Sequence, residues 1–98
     1  MNLNITGQHI EITPAMDALI RKKMDRLHHK FSPLSHIHVI LNLEDKLRHK
    51  MEIVLHFMGV EFQASAHTAD MYKTLDAVLD KMEHQLLHHK NKGNQHHE

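Results

Sequence analysis

The chain has 98 residues, which is enough for one hydrophobic core and too few for two. Apolar residues make up 41% of it, a share typical of globular domains, and the absence of cysteine excludes disulfide frameworks, thiolate zinc fingers and cysteine nucleophiles. Basic and acidic side chains number 12 each, so the formal net charge is zero, and 13 histidines are present besides. No apolar run could span a bilayer and the N-terminus lacks the pattern of a secretory signal, so we expect a cytoplasmic protein.

Hydrophobic periodicity predicts a strand and then a helix in the first third of the chain. Apolar and polar residues alternate from Asn2 to Thr6, which is typical of a half-buried strand that Gly7 would end. Thr13 can cap free helical amides and Pro14 suits the first helical position. Apolar residues then recur every three or four positions, so we predict an amphipathic helix from about Pro14 to Lys30.

Three further strands and a second helix are predicted in the rest of the chain. Alternation predicts strands over residues 36–44, 48–57 and 60–67, with Met58 and Gly59 forming a tight hairpin between the last two. In the fourth strand the residues expected to point inward are Val60, Phe62, Ala64 and Ala66. A helical apolar stripe begins at Met71, and Asp70 or Thr68 could cap its start. We expect this helix to end near His89 or Lys90. Residues 91–98 offer no core side chain, so we predict a domain over residues 1–92 and a disordered tail over 93–98.

The predicted order is strand, helix, strand, strand, strand, helix. The helix between the first two strands implies a parallel pair with a right-handed crossover, and the next three strands form an antiparallel meander. Because each strand has one apolar face, both helices should cover the same side of the sheet. The predicted fold is therefore an α+β two-layer sandwich of the β-α-β-β-β-α type, with a four-stranded mixed sheet and two helices packed on one face.

The charges of this neutral chain are unevenly distributed. The first predicted helix carries five basic and two acidic residues, and the second has its acids near the start and its bases near the end. If both helices share one side of the sheet, their outward faces form a basic surface of the kind that binds polyanions. The alternative is that these charges only keep the helix faces solvated. In the second helix, acids at the start and bases at the end would also be favoured by the helix dipole alone. Aromatic residues are few, so backbone and shape contacts to folded RNA are favoured over base stacking.

Two motifs resemble a known family. The segments LNITG (Leu3 to Gly7) and HIEIT (His9 to Thr13) resemble the opening of the ribosome hibernation-promoting factors, also called the ribosome-associated translation inhibitor or sigma-54 modulation protein family. The segment from Ser65 to Leu86 resembles the same family through its Ala/Ser strand end followed by Asp-Met-Tyr, and the run from His88 to Lys92 resembles the family's lysine-rich end. The resemblance covers residues 1 to about 92, and its element order agrees with the order predicted above.

The resemblance implies a function in ribosome hibernation. Family members bind the rRNA of the small ribosomal subunit at the decoding region, block access of mRNA and tRNA, and silence translation in stationary phase or stress. The sequence is similar to the short form of the family, which promotes ribosome pairing together with a separate small ribosome modulation factor. Residues 93–98 are not acidic, which favours the pairing type over a related member with an acidic extension. The resemblance implies no enzymatic activity, no cofactor, no membrane and no small-molecule substrate.

The resemblance also implies which residues bind RNA. In the family, basic side chains on the two helices make these contacts. The matching positions are Arg21, Lys22, Lys23, Arg26, Lys30, Lys81, His88, His89, Lys90 and Lys92.

The histidines suggest a metal site as a competing hypothesis. His84 and His88 are four residues apart on a predicted helix, and His36 and His38 are two apart on a predicted strand, so either pair could share an ion. Neither pair has a third ligand at the spacing of a known metal motif. We therefore predict no metal site.

Catalysis and protein–protein interaction are two further alternative functions. Asp76 and Asp80 lie one helical turn apart where a solvated acid pair is expected, and the chain has no nucleophile elbow or Gly-rich phosphate loop, so no catalytic residue is predicted. A protein-interaction module could use the exposed sheet face or an edge strand. Salt distinguishes such a module from an RNA-binding protein, because RNA affinity falls steeply with salt whereas an apolar protein interface depends on it little.

Overall fold

The computed structural model describes residues 2–94. Its elements, in chain order, are β1 (Leu3–Gln8), α1 (Pro14–Lys30), β2 (Leu34–Asp45), β3 (Arg48–Phe57), β4 (Val60–Thr68) and α2 (Met71–Asn94). The predicted order of elements is confirmed, and the bounds of α1 and β3 coincide with the predicted ones.

The four strands form one mixed sheet in the order β1-β2-β3-β4. β1 pairs in parallel with β2, with Leu3 opposite Ile37, and the other two pairings are antiparallel. Apolar residues from the inner face of the sheet, α1 and α2 make a single buried cluster, so both helices cover one side of the sheet. The predicted two-layer α+β sandwich is therefore confirmed.

The start of α1 is fixed by the residues that predicted it. The Thr13 side-chain oxygen accepts a hydrogen bond from the Met16 amide at 3.2 Å, and Pro14 occupies the first turn, where it removes no intrahelical bond. The helix buries Met16, Ile20, Met24 and Leu27, which recur at three- and four-residue spacing and so lie on one face.

The start of α2 is capped by Asp70, one of the two predicted capping residues. Its Oδ1 accepts the Tyr72 amide at 2.7 Å. The other candidate, Thr68, accepts the Asp70 amide at 3.1 Å and lies 2.7 Å from the hydroxyl of Thr74. Thr74 is buried at this point and also donates to the Asp70 carbonyl at 2.8 Å, which satisfies its polar group within the fold.

The C-terminal end of α2 differs from the prediction. The helix continues to Asn94, whereas apolar periodicity ends near His89. Once a helix has formed, each added residue gains a backbone hydrogen bond, so extension does not need a core contact. The first two residues of the predicted tail, 93 and 94, therefore belong to the helix, and residues 95–98 lie outside the described residues.

Two features of the strands were not predicted correctly. β2 begins at Leu34 and contains a register shift between Ser35 and His38, where His36 adopts a φ of 51°. This extra residue allows Leu34 and Ile37, three positions apart, both to face the core. The inward placement of Val60 was wrong: it is 40% exposed because it lies at the first position of an edge strand, beside the hairpin turn.

Glycine is required at Gly7 and Gly59 for different reasons. At Gly7 a Cβ would lie 2.5 Å from the Ile10 carbonyl oxygen, so no side chain fits there. The prediction that Gly7 ends the first strand was wrong, because β1 continues to Gln8. In the hairpin, Met58 and Gly59 have φ values of 53° and 75°, which is the type I′ geometry that tight hairpins favour. Within residues 2–94, neither helix has the length and apolar character to cross a membrane.

Candidate nucleic-acid interface

Two ion pairs join α1 and α2, which lie side by side on the sheet. The Lys23 ammonium lies 3.4 Å from the Asp76 carboxylate, and the Lys30 ammonium lies 2.7 Å from the Glu83 carboxylate. The two pairs share the same sequence separation, 53 residues, so the helices run parallel and begin at the same end of the molecule. Their dipoles therefore point the same way, with both C-terminal ends at one pole.

A groove of about 290 Å³ runs between the helices. From α1 it is lined by Lys23, Arg26 and Lys30, whose spacing of three and four residues puts them in one row. The facing acids Asp76 and Glu83 engage the two lysines, while Arg26 is exposed and has no carboxylate partner among residues 2–94. The groove therefore carries a surplus of positive charge centred on Arg26.

A second cationic patch lies on the other side of α1. Arg21 and Lys22 are exposed and line a shallow depression with Leu3 and Asp25, next to the edge strand β1. The Arg21 Nε donates to the Asp17 carboxylate at 2.7 Å, one helical turn away. A guanidinium has five N–H donors, so the pair with Asp17 leaves most of them available for phosphate oxygens.

The third part of the basic surface is the C-terminal end of α2. Glu83 lies opposite the last residue of α1, and the end of α2 at Asn94 is 11 positions further on, so α2 extends about 16 Å beyond α1. His88 and Lys92 are exposed on this projecting segment. The Lys90 ammonium is also exposed and lies 5.9 Å from the centre of the Phe31 ring, where the end of α1 meets α2.

Two of the predicted RNA-binding residues are engaged within the fold. The Lys81 ammonium donates to the Ser65 carbonyl at 2.8 Å and thus covers part of the edge of β4. The half-buried His89 ring packs edge-on against Phe62 and Phe57, with ring centres 5.2 and 6.4 Å away. Of the other eight predicted residues, seven are exposed and Lys23 is half-buried. Lys23 and Lys30 are ion-paired with acids of α2.

Some functional features could not be predicted from the sequence. The carboxylates that neutralise part of the groove could not be recognised, because their partners lie 53 residues away and only the helix register brings them together. His28, which looks like another surface base, accepts the Leu34 amide at its Nδ1 at 3.2 Å and so stabilises the turn after α1.

The exposed face of the sheet has a different chemical character. It carries histidines in local contacts: His36 lies against His56 with ring centres 4.9 Å apart, and the His38 Nε2 lies 2.8 Å from the Thr6 hydroxyl. His84, on α2, bonds to the Asp80 carbonyl at 2.7 Å. Over residues 2–94, no group of three or more His, Asp or Glu side chains is arranged to hold a metal ion.

These features define a small α+β domain that presents a basic helical face on one side of a sheet. The chain belongs to the family described as sigma 54 modulation protein / S30EA ribosomal protein, whose model matches residues 3–94. It is 40% identical over 96 residues to the ribosome hibernation promoting factor of Escherichia coli K12, covering 98% of this chain and 100% of that protein. The factor of the same name from Azotobacter vinelandii is 37% identical over 92 residues, covering 94% of this chain and 85% of that one.

Solved structures show the same fold. A ribosomal subunit interface protein from Coxiella burnetii superposes with a TM-score of 0.80 at 34% identity, covering 93% of this chain and 99% of that one. The N-terminal domain of Thermus thermophilus Protein Y gives 0.78 at 28% identity, covering 88% and 96%. The resemblance seen in the sequence is therefore confirmed, and the chain is a member of a family of ribosome-binding hibernation proteins without enzymatic activity.

Proposed function

We propose that this protein binds the rRNA of the small ribosomal subunit at the decoding region, in the cytoplasm, through the outer faces of α1 and α2. Bound there, it blocks access of mRNA and tRNA. It promotes inactive paired ribosomes in stationary phase or stress, together with a separate small ribosome modulation factor.

The observation that carries this proposal is the concentration of exposed cations on one side of the sandwich. Arg21, Lys22 and Arg26 on α1 and Lys92 on α2 face solvent on the side that carries both helices. Each can neutralise a phosphate and release a counterion, which is the main source of affinity for folded RNA. Parallel helix dipoles place their negative ends at the pole where Lys90 and Lys92 supply positive charge.

Co-sedimentation of the purified full chain with small ribosomal subunits tests RNA binding. We expect saturable, near one-to-one binding at about 50 mM salt, and a loss of about 10³-fold or more in affinity at about 200 mM if six or more phosphates are contacted. Large subunits serve as the matched control at each salt concentration. Absence of binding at low salt, or binding that salt does not weaken, would contradict the proposal.

Two further measurements test the finer steps. If the protein occupies the decoding region, small subunits preloaded with mRNA and initiator tRNA should bind it much more weakly than vacant subunits. For pairing, gradient sedimentation of ribosomes should show a paired species when both this protein and the modulation factor are present. Equal binding to loaded and vacant subunits would refute decoding-region occupancy while leaving ribosome binding intact.

A further inference from the structure

An apolar pocket of about 150 Å³ opens at the pole where both helices begin, and the proposed RNA contacts do not use it. Its walls come from the loop between β1 and α1, the first turn of each helix, and the middle of β2. The lining residues are Ile10, Glu11, Ile12, Thr13, Met16, Leu41, Met71 and Tyr72. Met16 and Lys30 are 14 residues apart along α1, so the pocket lies about 20 Å from the basic end of that helix.

The pocket has the size and lining of a site for one apolar side chain. An apolar cavity of this volume is large enough to hold benzene, which is close in size to a leucine or phenylalanine side chain. Five of its walls are Ile, Met or Leu side chains, and the ring of Tyr72, 51% exposed, stands at its opening. Half-exposed tyrosines are characteristic of protein interfaces, because the ring supplies apolar area and the hydroxyl remains hydrated.

The charges around the pocket indicate the kind of partner. Glu11 is exposed, lines the pocket, and makes no ion pair with any residue between 2 and 94. Asp70, next to Met71, is exposed as well, and its carboxylate caps Tyr72. Neither Asp70 nor Lys73 lines the pocket. The one charged residue among those that do is Glu11, so the lining is acidic, whereas the face proposed to meet RNA is basic.

We propose that this pocket binds a basic protein segment by taking up one of its apolar side chains, with Glu11 facing a basic residue beside it. A polyanion would be repelled by the Glu11 carboxylate, so the pocket gives this small protein a second binding site with a protein rather than RNA as its ligand. The site is formed by the isolated chain and does not require the ribosome.

The test is a titration of the full ¹⁵N-labelled chain with short peptides, followed by amide chemical shifts. The probes are acetyl-KRLRK-amide, the same peptide with alanine at its centre, and acetyl-SGLGS-amide. The leucine peptide should shift the amides of residues 10–13 and 72, and bind about tenfold more tightly than the alanine peptide, because roughly half of the added apolar surface becomes buried. The uncharged leucine peptide should bind several-fold more weakly than the basic one.

Two matched pairs of variants complete the test. Glu11→Lys should weaken the basic peptide about threefold or more, whereas Glu61→Lys, the same charge reversal on β4, should not. Tyr72→Ala should remove the preference for leucine over alanine, and Lys73→Ala should keep it.

Equal binding of the leucine and alanine peptides, or shifts centred elsewhere, would overturn the proposal. The proposal would also be overturned if a short RNA oligonucleotide caused larger amide chemical-shift changes at residues 10–13 than any of the peptides. Weaker ribosome binding in Arg26→Ala with peptide binding unchanged is the expected result, since the two sites lie toward opposite ends of α1.

Discussion

Removal of the three exposed cations of α1, by Arg21→Ala, Lys22→Ala and Arg26→Ala together, should lower affinity for the small subunit and leave the fold intact. All three side chains are exposed, and alanine is the best helix former, so α1 loses no core contact. The one local interaction lost is the ion pair between Arg21 and Asp17, an exposed pair one turn apart that contributes about 0.3–0.5 kcal/mol.

The expected change in binding follows from the number of phosphates. Each phosphate contact contributes about 0.7 to 0.9 to the slope of log affinity against log salt. If each of the three residues meets one phosphate, the triple variant should have a slope lower by about 2 to 3. When salt rises fourfold, from about 50 to about 200 mM, a slope difference of about 2.5 means that the triple variant loses about 30-fold less affinity than the unchanged protein does.

The assay is sedimentation with small subunits at four or more salt concentrations, with thermal unfolding as a check on the fold. The matched control removes three cations from the β2–β3 hairpin region, as Lys46→Ala, Arg48→Ala and Lys50→Ala. Its slope should equal that of the unchanged protein. An unchanged slope in the α1 variant, or an equal decrease in both variants, would refute the assignment of the RNA contacts to α1.

Three further predictions concern single residues. Glu83→Gln removes the ion-pair partner of Lys30 in the inter-helix groove, so it should tighten binding to the small subunit several-fold at low salt. Because the lost ion pair is exposed, the free energy of unfolding should change by about 1 kcal/mol or less. The control variant Glu61→Gln should sediment with small subunits as the unchanged protein does. His88→Leu should weaken binding to the small subunit, whereas His89→Leu should leave the affinity unchanged because that ring packs inside the fold; equal affinities of the two variants would contradict the distinction. Gly7→Ala should lower the free energy of unfolding by about 1–3 kcal/mol in chemical denaturation, since its Cβ overlaps a backbone carbonyl, and an unchanged midpoint would be inconsistent with this contact.

The fold could be predicted where the sequence marks both ends of an element chemically. α1 has Thr13 and Pro14 at its start and Pro33 beyond its end, and its predicted bounds were correct. α2 has a clear cap at its start but no comparable signal at its end, because helix propagation continues past the last apolar residue. The bulge near His36 was missed because an inserted residue interrupts the alternation of apolar and polar residues. Alternation alone therefore makes the strand begin after the bulge.

The basic surface of the two helices could be predicted from the sequence, but the contacts of its side chains within the protein could not. Helical periodicity could have separated His89 from His88, because His89 continues the buried stripe three residues after Leu86. The pairing of Lys23 with Asp76 depends on how two helices far apart in sequence are aligned, and the alignment is set by the packing of both on the sheet. Periodicity within one helix contains no information about that alignment.

A net charge of zero is compatible with RNA binding here because the acids have defined places. Asp76 and Glu83 hold the lysines of the groove, so the full repulsion among Lys23, Arg26 and Lys30 does not act on the free protein. When a phosphate approaches, those lysines must exchange a carboxylate for it, and their net contribution is smaller than that of Arg26, which has no such partner among the described residues. The affinity of the surface is therefore expected to depend mainly on the unpaired cations, while the paired lysines contribute less because each must first leave its carboxylate.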